Sequence, residues 1–453
     1  MFSKTFKGGI HPWDGKSLTR EKPIKELLPE GECVYPVSQH IGAPAVPVVA
    51  VGDHVFAGQK IAEAGGFVSS PVISAVSGTV TAIEKRRVAN GTMVDSIVID
   101  NDGKFELAEG IGTPRDPSSL SREEIRNIIK EAGIVGLGGA GFPTHVKLAP
   151  KNPENIEYII INGAECEPYL NSDYRLMIEE TEKLIAGLKI ILSLFDNAKG
   201  VIGIESNKPE AIAKLNKVLE NEPDISVEVV KAKYPQGCER MLIQALTGRK
   251  INSAVLPADV GCIVDNVDTA ISIYEAVAMS TPLMRRVFTC TGDAIADPQI
   301  LSVKIGTDFR EIIEACGGFT ATPEKLIAGG PMMGLSLFSV HIPVMKTSSA
   351  LLCFKKDPVY ENTVTPCIKC AHCVNVCPEH LIPVMLMESA LDNDLERFVK
   401  LNGMECMECG SCTYTCPAKR PLTQSFKQMK IKVAAKRKAD AAKAAQKKEE
   451  GKS

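Results

Sequence analysis

Eight cysteines near the C-terminus have a spacing suited to iron–sulfur chemistry. They form two runs of the pattern Cys-x2-Cys-x2-Cys-x3-Cys-Pro, which begin at Cys367 and Cys406. A [4Fe–4S] cube needs four thiolates, and in two-cluster ferredoxins the last cysteine of each run ligates the other cluster. The spacing therefore predicts two clusters, one held by Cys367, Cys370, Cys373 and Cys416 and the other by Cys406, Cys409, Cys412 and Cys377. Two zinc sites are the alternative, but zinc gains nothing from a fourth cysteine followed by proline.

A glycine-rich loop in the first half of the chain is a second candidate site. It reads Gly136-Leu-Gly-Gly-Ala-Gly-Phe-Pro143, with four glycines in six residues. A dinucleotide fingerprint needs a strand before such a loop and a helix after it, whereas here a helix is predicted before the loop and prolines follow. Backbone N–H groups without side chains can still cradle a phosphate or approach a flat ring, and Lys147 is placed to meet the anion. A plain packed turn is the alternative, but it would not need so many glycines.

A polar segment follows the strand predicted at residues 157–161. It reads Asn162-Gly-Ala-Glu-Cys-Glu-Pro-Tyr169. An asparagine and two carboxylates at the carboxyl end of a strand lie where α/β folds place their ligands. By themselves, Glu165 and Glu167 would be read as surface charges. Together with the glycine loop they become site candidates.

The composition restricts the class of protein. The 453 residues carry a net charge of −3, but the range 427–453 holds ten Lys or Arg residues against three Asp or Glu. The preceding chain is therefore acidic, which argues against nucleic-acid binding. Fifteen cysteines in a long chain without a recognisable signal peptide indicate metal or redox chemistry rather than disulfides. No apolar run approaches the ~20 residues of a membrane-spanning helix, so we expect a soluble protein or one held at a membrane by partners.

The order of the elements predicts a multidomain α/β plus β protein. Short β-rich segments resemble the barrel-sandwich fold of biotinyl and lipoyl carriers, but the stretch from Ser70 to Ser77 has no lysine to modify. Alternating helices and strands follow, starting with a capping box at Ser121 and Glu124. Helical spacing at 383–401, between the cysteine runs, favours a helical ferredoxin. The expected units are an arm at 1–29, a barrel-sandwich hybrid at 30–110, a Rossmann-like α/β domain at 118–285, a β-grasp unit resembling soluble-ligand-binding domains at 286–350, a helical two-cluster ferredoxin domain at 358–425, and a basic Lys/Ala-rich tail at 427–453 that is either a frayed helix or disordered.

Taken together, these motifs resemble a known family. The loop, the Asn162–Tyr169 segment, the cysteine runs and segments at 6–12, 234–239 and 329–334 are similar to the C subunit of the Rnf complex, a membrane-bound ferredoxin:NAD oxidoreductase coupled to Na⁺ or H⁺ transport. The α/β domain also resembles the NADH-oxidising subunit of respiratory complex I, which binds FMN on a glycine loop. The resemblance implies FMN contacts at Gly138, Gly139, Gly141, Lys147, Asn162, Glu165 and Asn266. It places Phe142 and Glu167 on the nicotinamide side, and it implies no further catalytic residue.

The same resemblance implies an activity and partners. NAD(H) would exchange hydride with FMN, and the two [4Fe–4S] clusters would relay single electrons. The implied partners are the other Rnf subunits, including integral membrane subunits and an iron–sulfur subunit, with ferredoxin reached indirectly at the cytoplasmic face of the cell membrane. Two alternatives stay open: a soluble flavin and iron–sulfur cobalamin reductase of a bacterial microcompartment, and a non-catalytic cluster scaffold. Leu137, Ala164 and Asp265 stand where the complex I protein has Arg, Asp and Asn, and the first two keep the scaffold hypothesis open.

Overall fold

The computed structural model describes residues 4–450, with side chains described as far as residue 444. Residues 1–3 of the expected arm and 451–453 of the expected tail lie outside the described residues. Among residues 4–450, no helix combines the length and the hydropathy that crossing a membrane requires.

The N-terminal unit is built from short antiparallel strands. Its two sheets have the strand orders β2-β8-β7-β4 and β3-β5-β6. The lysine-free stretch from Ser70 to Ser77 is buried throughout, so this part of the unit packs inside the protein. The strands, with β1 preceding them, are β1 (Ile24–Leu27), β2 (Cys33–Pro36), β3 (Val46–Pro47), β4 (His54–Val55), β5 (Lys60–Glu63), β6 (Val72–Ile73), β7 (Gly78–Arg87) and β8 (Met93–Asn101).

The next unit is an α/β layer around a parallel sheet of order β11-β10-β9-β12. The capping box predicted at Ser121 and Glu124 is present at the start of α1. Strands β9 and β12 are neighbours, and their last residues bring Asn162 opposite Asn266. The elements are α1 (Arg122–Glu131), α2 (Thr144–Lys147), β9 (Tyr158–Gly163), α3 (Ser172–Glu179), α4 (Thr181–Leu192), β10 (Lys199–Glu205), α5 (Pro209–Val218), β11 (Ile225–Val230), α6 (Glu239–Thr247), β12 (Cys262–Asn266) and α7 (Val267–Met279).

The third unit is a six-stranded sheet with one helix. Its strand order is β1-β14-β13-β17-β15-β16. Strand β1 comes from the segment expected as an arm and pairs in parallel with β14, so part of that segment is an edge strand here. The elements are β13 (Arg285–Thr291), β14 (Gln299–Lys304), α8 (Phe309–Ala315), β15 (Lys325–Ala328), β16 (Leu335–Leu337) and β17 (Ala350–Phe354).

The cysteine runs lie in a helical unit. Between them stand two helices, as the apolar spacing predicted. The last helix buries Leu422, Phe426, Met429 and Val433 on one face, and residues 434–444 are exposed. The basic tail is therefore helical as far as Glu450. The helices are α9 (His372–Asn375), α10 (Pro383–Leu391), α11 (Leu395–Lys400), α12 (Ser411–Tyr414) and α13 (Leu422–Glu450).

Candidate functional site

The eight cysteines of the two runs gather around two cavities. One cavity is lined by Cys367, Cys370, Cys373 and Cys416. The other is lined by Cys377, Cys406, Cys409 and Cys412. Each cavity therefore takes three thiols from one run and the fourth from the other run, the arrangement that the spacing predicted. We name them the outer cluster site and the inner cluster site, respectively.

The two cluster sites differ in exposure. Cys367 and Cys370 of the outer site are exposed, whereas Cys409 and Cys412 of the inner site are buried. No three His, Cys, Asp or Glu side chains in the described part of the chain converge on a single metal-ion position. The thiols instead stand apart around a cavity, and four separated thiolates are the donor set that a [4Fe–4S] cube requires.

The glycine loop lies over the carboxyl ends of β9 and β12. Residues 138–140 are exposed at its tip. A Cβ added to Gly138 would stand 2.9 Å from the Cβ of Asn266, whereas a Cβ on Gly139 would meet nothing within 4 Å. Gly138 therefore allows the loop to approach β12 closely, and Gly139 leaves open space above it. Gly141 has φ +72°, a left-handed conformation that favours glycine.

Two asparagines stand side by side beneath this loop. The Asn162 amide donates to the Gly237 carbonyl over 2.8 Å, and the Asn266 amide donates to Asp173 Oδ2 over 2.7 Å. The Asn266 side-chain oxygen also caps α7 by accepting from the Asp268 N–H. Burial, reinforced by the nearby Glu165 charge, raises the pKa of Asp173 to about 8. The two predicted polar contacts are thus brought together at one edge of the sheet.

Lys147 reaches the same edge from α2. Its ammonium donates to the Val264 carbonyl over 2.6 Å and lies 3.4 Å from Asp265 Oδ1. The Asp265 side chain is fully buried, and neither of its oxygens accepts a hydrogen bond within the described part of the chain. Burial raises the pKa of this carboxyl, and Lys147 opposes the shift. A buried acceptor without a donor is suited to a ligand that carries hydroxyl groups.

The two carboxylates of the polar segment have partners within the protein. Glu165 accepts from the Asp173 and Tyr174 N–H groups at the start of α3. Glu167 accepts from the Met332 and Met333 N–H groups, and burial raises its pKa to about 7. Both side chains therefore shape the surrounding loops. Their contacts with FMN and nicotinamide stay predictions, as does that of the half-buried Phe142.

The α/β unit and the inner cluster site touch directly. The buried Tyr234 hydroxyl donates to the carbonyl of Cys409 over 2.7 Å. Tyr234 also exchanges backbone hydrogen bonds with Ile10 of the N-terminal segment. Gly9 of that segment donates to the Val376 carbonyl over 2.9 Å. The segment thus passes between the α/β unit and the inner cluster site and holds one against the other.

Sequence reasoning missed several residues of this region. Glu239 opens α6 close to Lys147 and Asp265; burial raises its pKa and Lys147 opposes the shift. Tyr234 and Glu239 belong to the segment 234–239 that signalled the family resemblance, so the signal was present but no role was assigned. Asp173 gave no motif, because only the fold brings α3 beneath the glycine loop.

Comparisons with known families cover most of the chain. The matching family models are the RnfC barrel sandwich hybrid domain over residues 4–104, the Nuo51 FMN-binding domain over 129–275, the SLBB domain over 287–336 and the 4Fe-4S dicluster domain over 366–419. The C subunit of the Na(+)-translocating ferredoxin:NAD(+) oxidoreductase complex of Acetobacterium woodii is 45% identical over 96% of this chain and 98% of its own length. The chain belongs to the RnfC family.

Further RnfC relatives agree with this assignment. The C subunit of a proton-translocating ferredoxin:NAD(+) oxidoreductase complex of Clostridium ljungdahlii is 47% identical, covering 84% of each chain. The C subunit of an ion-translocating oxidoreductase complex of Rhodobacter capsulatus is 39% identical over 95% of this chain and 83% of its own length. The predicted family and the predicted fold class are therefore confirmed, including the barrel-sandwich, FMN-binding, soluble-ligand-binding and dicluster units.

A solved structure shares the fold of this RnfC chain. An NAD+-reducing [NiFe]-hydrogenase in the air-oxidized state matches with a TM-score of 0.50 and 20% identity, over 72% of this chain and 68% of the other. At this identity the likeness shows the fold alone.

The residues present fit the two cofactors that the RnfC domains imply. The cysteine rings supply four thiolates for each cluster. The open space above Gly139 suits FMN, whose ribityl chain carries hydroxyl donors, and so do the Asp265 oxygens, which accept no hydrogen bond from the described residues although Lys147 lies 3.4 Å away. Leu137, which stands in place of an arginine, is buried in the core. A leucine at this position therefore affects the packing beneath the loop, whereas the loop tip at residues 138–140 stays exposed.

An ion-pair bridge joins the α/β unit to the dicluster unit and yields a first prediction. Arg240 of α6 lies 3.1 Å from Glu379 and 3.2 Å from Glu405. In Arg240→Gln we expect flavin reduction by NADH to keep its rate, while transfer to the clusters slows severalfold, because partly buried charge-assisted contacts contribute about 1.5–3 kcal/mol to docking. Stopped-flow absorbance separates the two phases.

The control for this prediction is Arg249→Gln. Arg249 pairs with Glu157 over 2.7 Å, entirely within the α/β unit. An equal slowing in both variants would contradict a docking role for Arg240.

Proposed function

We propose that this chain is the NAD(H)-reacting electron-transfer subunit of an Rnf complex. It exchanges electrons between NAD(H) and its iron–sulfur clusters by way of FMN, and the complex couples that flow to Na⁺ or H⁺ translocation. The observation that carries the proposal is the hydrogen bond from Tyr234 to the Cys409 carbonyl, because it joins the α/β unit that would hold FMN directly to a predicted cluster ligand. Tyr234 lies three residues before Gly237, whose carbonyl accepts from the Asn162 amide. Membership of the RnfC family favours this function over a soluble cobalamin reductase.

The residues at the carboxyl ends of β9 and β12 and in the glycine loop are proposed to contact different parts of FMN. Gly138 and Gly139 give the cofactor access to the backbone of the loop. Asn162 and Asn266 present amide groups side by side, and Asp265 offers acceptors to hydroxyl groups. Phe142 and Glu167 are proposed to line the nicotinamide side. Bound FMN supplies the exchange between a two-electron hydride and one-electron clusters.

The positions of the two cluster sites imply an order. The inner site contacts Tyr234 and the Gly9 segment, so a cluster held there would be the nearer of the two to the α/β unit and would exchange electrons with FMN first. The outer site follows, because its Cys367 and Cys370 are exposed. Residues 358–372 around these two cysteines are exposed without interruption. An exposed cluster suits transfer to or from a second protein, since electron transfer requires close approach of the two redox groups.

The finer assignments of partners and location are part of this proposal. The relatives are named as subunits of complexes, which supports the presence of other subunits. We assign to them the integral membrane subunits and an iron–sulfur subunit, with ferredoxin served indirectly. The chain would then lie at the cytoplasmic face of the cell membrane, held there by its partners.

An anaerobic titration tests the proposed function. The chain purified without oxygen is expected to release FMN on denaturation and to contain about eight iron atoms, two cubes' worth. NADH should bleach the flavin absorbance and then the broad iron–sulfur absorbance. Protein stripped of FMN is the control, and its clusters should not respond to NADH. Bleaching of the clusters without FMN, or no response of the holoprotein, would refute the relay. Co-purification with integral membrane subunits tests the assembly separately.

A further inference from the structure

The β-grasp unit contacts the glycine loop at two points and contacts Gly133, just before the loop, at a third. These contacts come from Arg286 at the start of β13 and from residues 346–348, just before β17. Residues 287–336 of the unit match the SLBB model, and the residues that make these contacts lie outside that range. None of the residues that make them belongs to the predicted FMN contacts.

Arg286 is the first point of contact. It is buried at 3% exposure and donates to the Leu137 carbonyl over 2.8 Å. The same guanidinium pairs with Asp268 over 2.7 Å and donates to the Ser348 carbonyl over 2.9 Å. Leu137 lies directly before Gly138, and Asp268 lies two residues after Asn266. One side chain therefore fixes both the loop and the start of the helix that Asn266 caps.

Lys346 is the second point of contact. Its side chain is fully enclosed and donates to Ser70 Oγ over 3.0 Å, to the Pro71 carbonyl over 2.6 Å and to the Gly133 carbonyl over 2.7 Å. Burial lowers the pKa of this amine to about 7. The side chain thus joins the β-grasp unit to the barrel-sandwich unit and to Gly133, which lies three residues before the glycine loop begins at Gly136.

The third point of contact is steric. A Cβ on Gly141 would stand 2.7 Å from Thr347 Cγ2. The Gly141 carbonyl also accepts from the Ile41 N–H over 3.3 Å. The base of the loop is therefore packed from two sides, whereas its tip at residues 138–140 is exposed.

We propose that the β-grasp unit serves as a clamp that holds the glycine loop in the shape that receives FMN, with Arg286 and Lys346 as its positioning residues. A loop of this composition has more backbone freedom than any other kind, so fixing its base lowers the entropy lost when the cofactor binds. This inference rests on the proposed placement of FMN at the loop. It assigns to the β-grasp unit a role in cofactor binding without contact with the cofactor.

The test compares two neighbouring arginines on β13 in the full chain. Arg286→Lys keeps a positive charge near Asp268, but its single nitrogen cannot replace the three separate guanidinium nitrogens that reach Ser348, Asp268 and Leu137. Arg285→Lys is the matched control, because Arg285 pairs with Glu180 and Glu275 and has no contact with the loop. Two quantities are measured: amide hydrogen exchange of residues 134–142, and the Kd of FMN for the apoprotein by quenching of flavin fluorescence.

We expect Arg286→Lys to speed exchange of the loop and to weaken FMN binding by about tenfold, the effect of losing one charge-assisted hydrogen bond. Arg285→Lys should lower the Tm without either change. Lys346→Met should act in the same direction as Arg286→Lys. If these variants fail to fold, Thr347→Ser, which removes only the methyl group against Gly141, should still speed loop exchange severalfold.

Three outcomes would overturn the clamp. Unchanged loop exchange in Arg286→Lys would show that the contact does not hold the loop, and the placement of FMN would stand. Equal losses of FMN affinity in the Arg286 and Arg285 variants would show general destabilisation, with the same consequence. Faster loop exchange with unchanged FMN affinity would show that fixing the base of the loop does not aid FMN binding, and bleaching of the flavin by NADH in this variant would show that the proposed function still stands.

Discussion

Replacing Cys377 with serine is expected to remove the inner cluster, although Cys377 belongs to the run that supplies the outer one. The structure places Cys377 in the cavity lined by Cys406, Cys409 and Cys412. Iron should fall from about eight to about four atoms per chain, because a cube that lacks one thiolate is lost as a unit. NADH should still bleach the flavin, while the outer cluster should no longer be reduced, since its route passes through the inner site.

Double variants show which cluster each cysteine serves. Cys377→Ser combined with Cys406→Ser should lose no more iron than either change alone, because both changes remove ligands of the same cluster. Cys377→Ser combined with Cys367→Ser should lose nearly all iron. The opposite pattern would show that each run holds its own cluster. Iron assay and the EPR spectrum of the dithionite-reduced protein measure these outcomes.

Replacing Gly139 with alanine is expected to weaken FMN binding by tenfold or more without harm to the fold. A Cβ at this position meets nothing within 4 Å, and the backbone φ is not positive. The apoprotein should therefore be as stable as the parent or more stable by about 0.4–1 kcal/mol, because alanine reduces the freedom of the unfolded chain. The added methyl group would occupy the space proposed for the cofactor. Thermal unfolding of the apoprotein and FMN titration measure the two effects.

Gly136→Ala is the matched control for this loop. A Cβ there would meet only the Phe142 carbonyl oxygen at 3.7 Å and the Phe142 nitrogen at 3.9 Å, which are ordinary contacts. Gly136 lies at the half-buried base of the loop, away from its exposed tip. The control should keep both stability and FMN affinity. Equal FMN affinity in the Gly139 and Gly136 variants would argue against FMN above the loop tip.

The chemistry of the clusters could be predicted from the sequence because it depends on local spacing. Gaps of two residues turn the backbone around a cube. The fourth cysteine, which precedes proline, ligates the other cluster in two-cluster ferredoxins. The crossed assignment of Cys377 and Cys416 followed from the same pattern, and each of the two cavities is lined by three cysteines of one run and one of the other. The alternation of helices and strands and the helical spacing at 383–401 were predictable for a related reason, since periodicity is local, whereas the barrel-sandwich and β-grasp units were predicted from their resemblance to known folds.

The candidate flavin edge was predictable only in part. Asn162 and Asn266 are carried by motifs, and parallel pairing of β9 with β12 brings them together. Glu165 shows the limit of motifs, because its carboxylate is turned to the N-terminus of α3 by a loop whose path no local rule fixes. Asp173 was not foreseen, because it reaches Asn266 only after α3 has packed against the sheet.

The sequence by itself thus determined the two clusters, because thiolate spacing is a property of short segments, whereas FMN was implied by the family resemblance of the glycine loop and its neighbouring motifs. Only the tertiary structure decided how the units that would hold those cofactors pack against one another. The N-terminal segment, expected as an extended arm, lies between Tyr234 and Val376, and Arg286 reaches the glycine loop from a different domain. Such contacts join residues more than a hundred positions apart, and the packing of whole units, which no local pattern encodes, sets them.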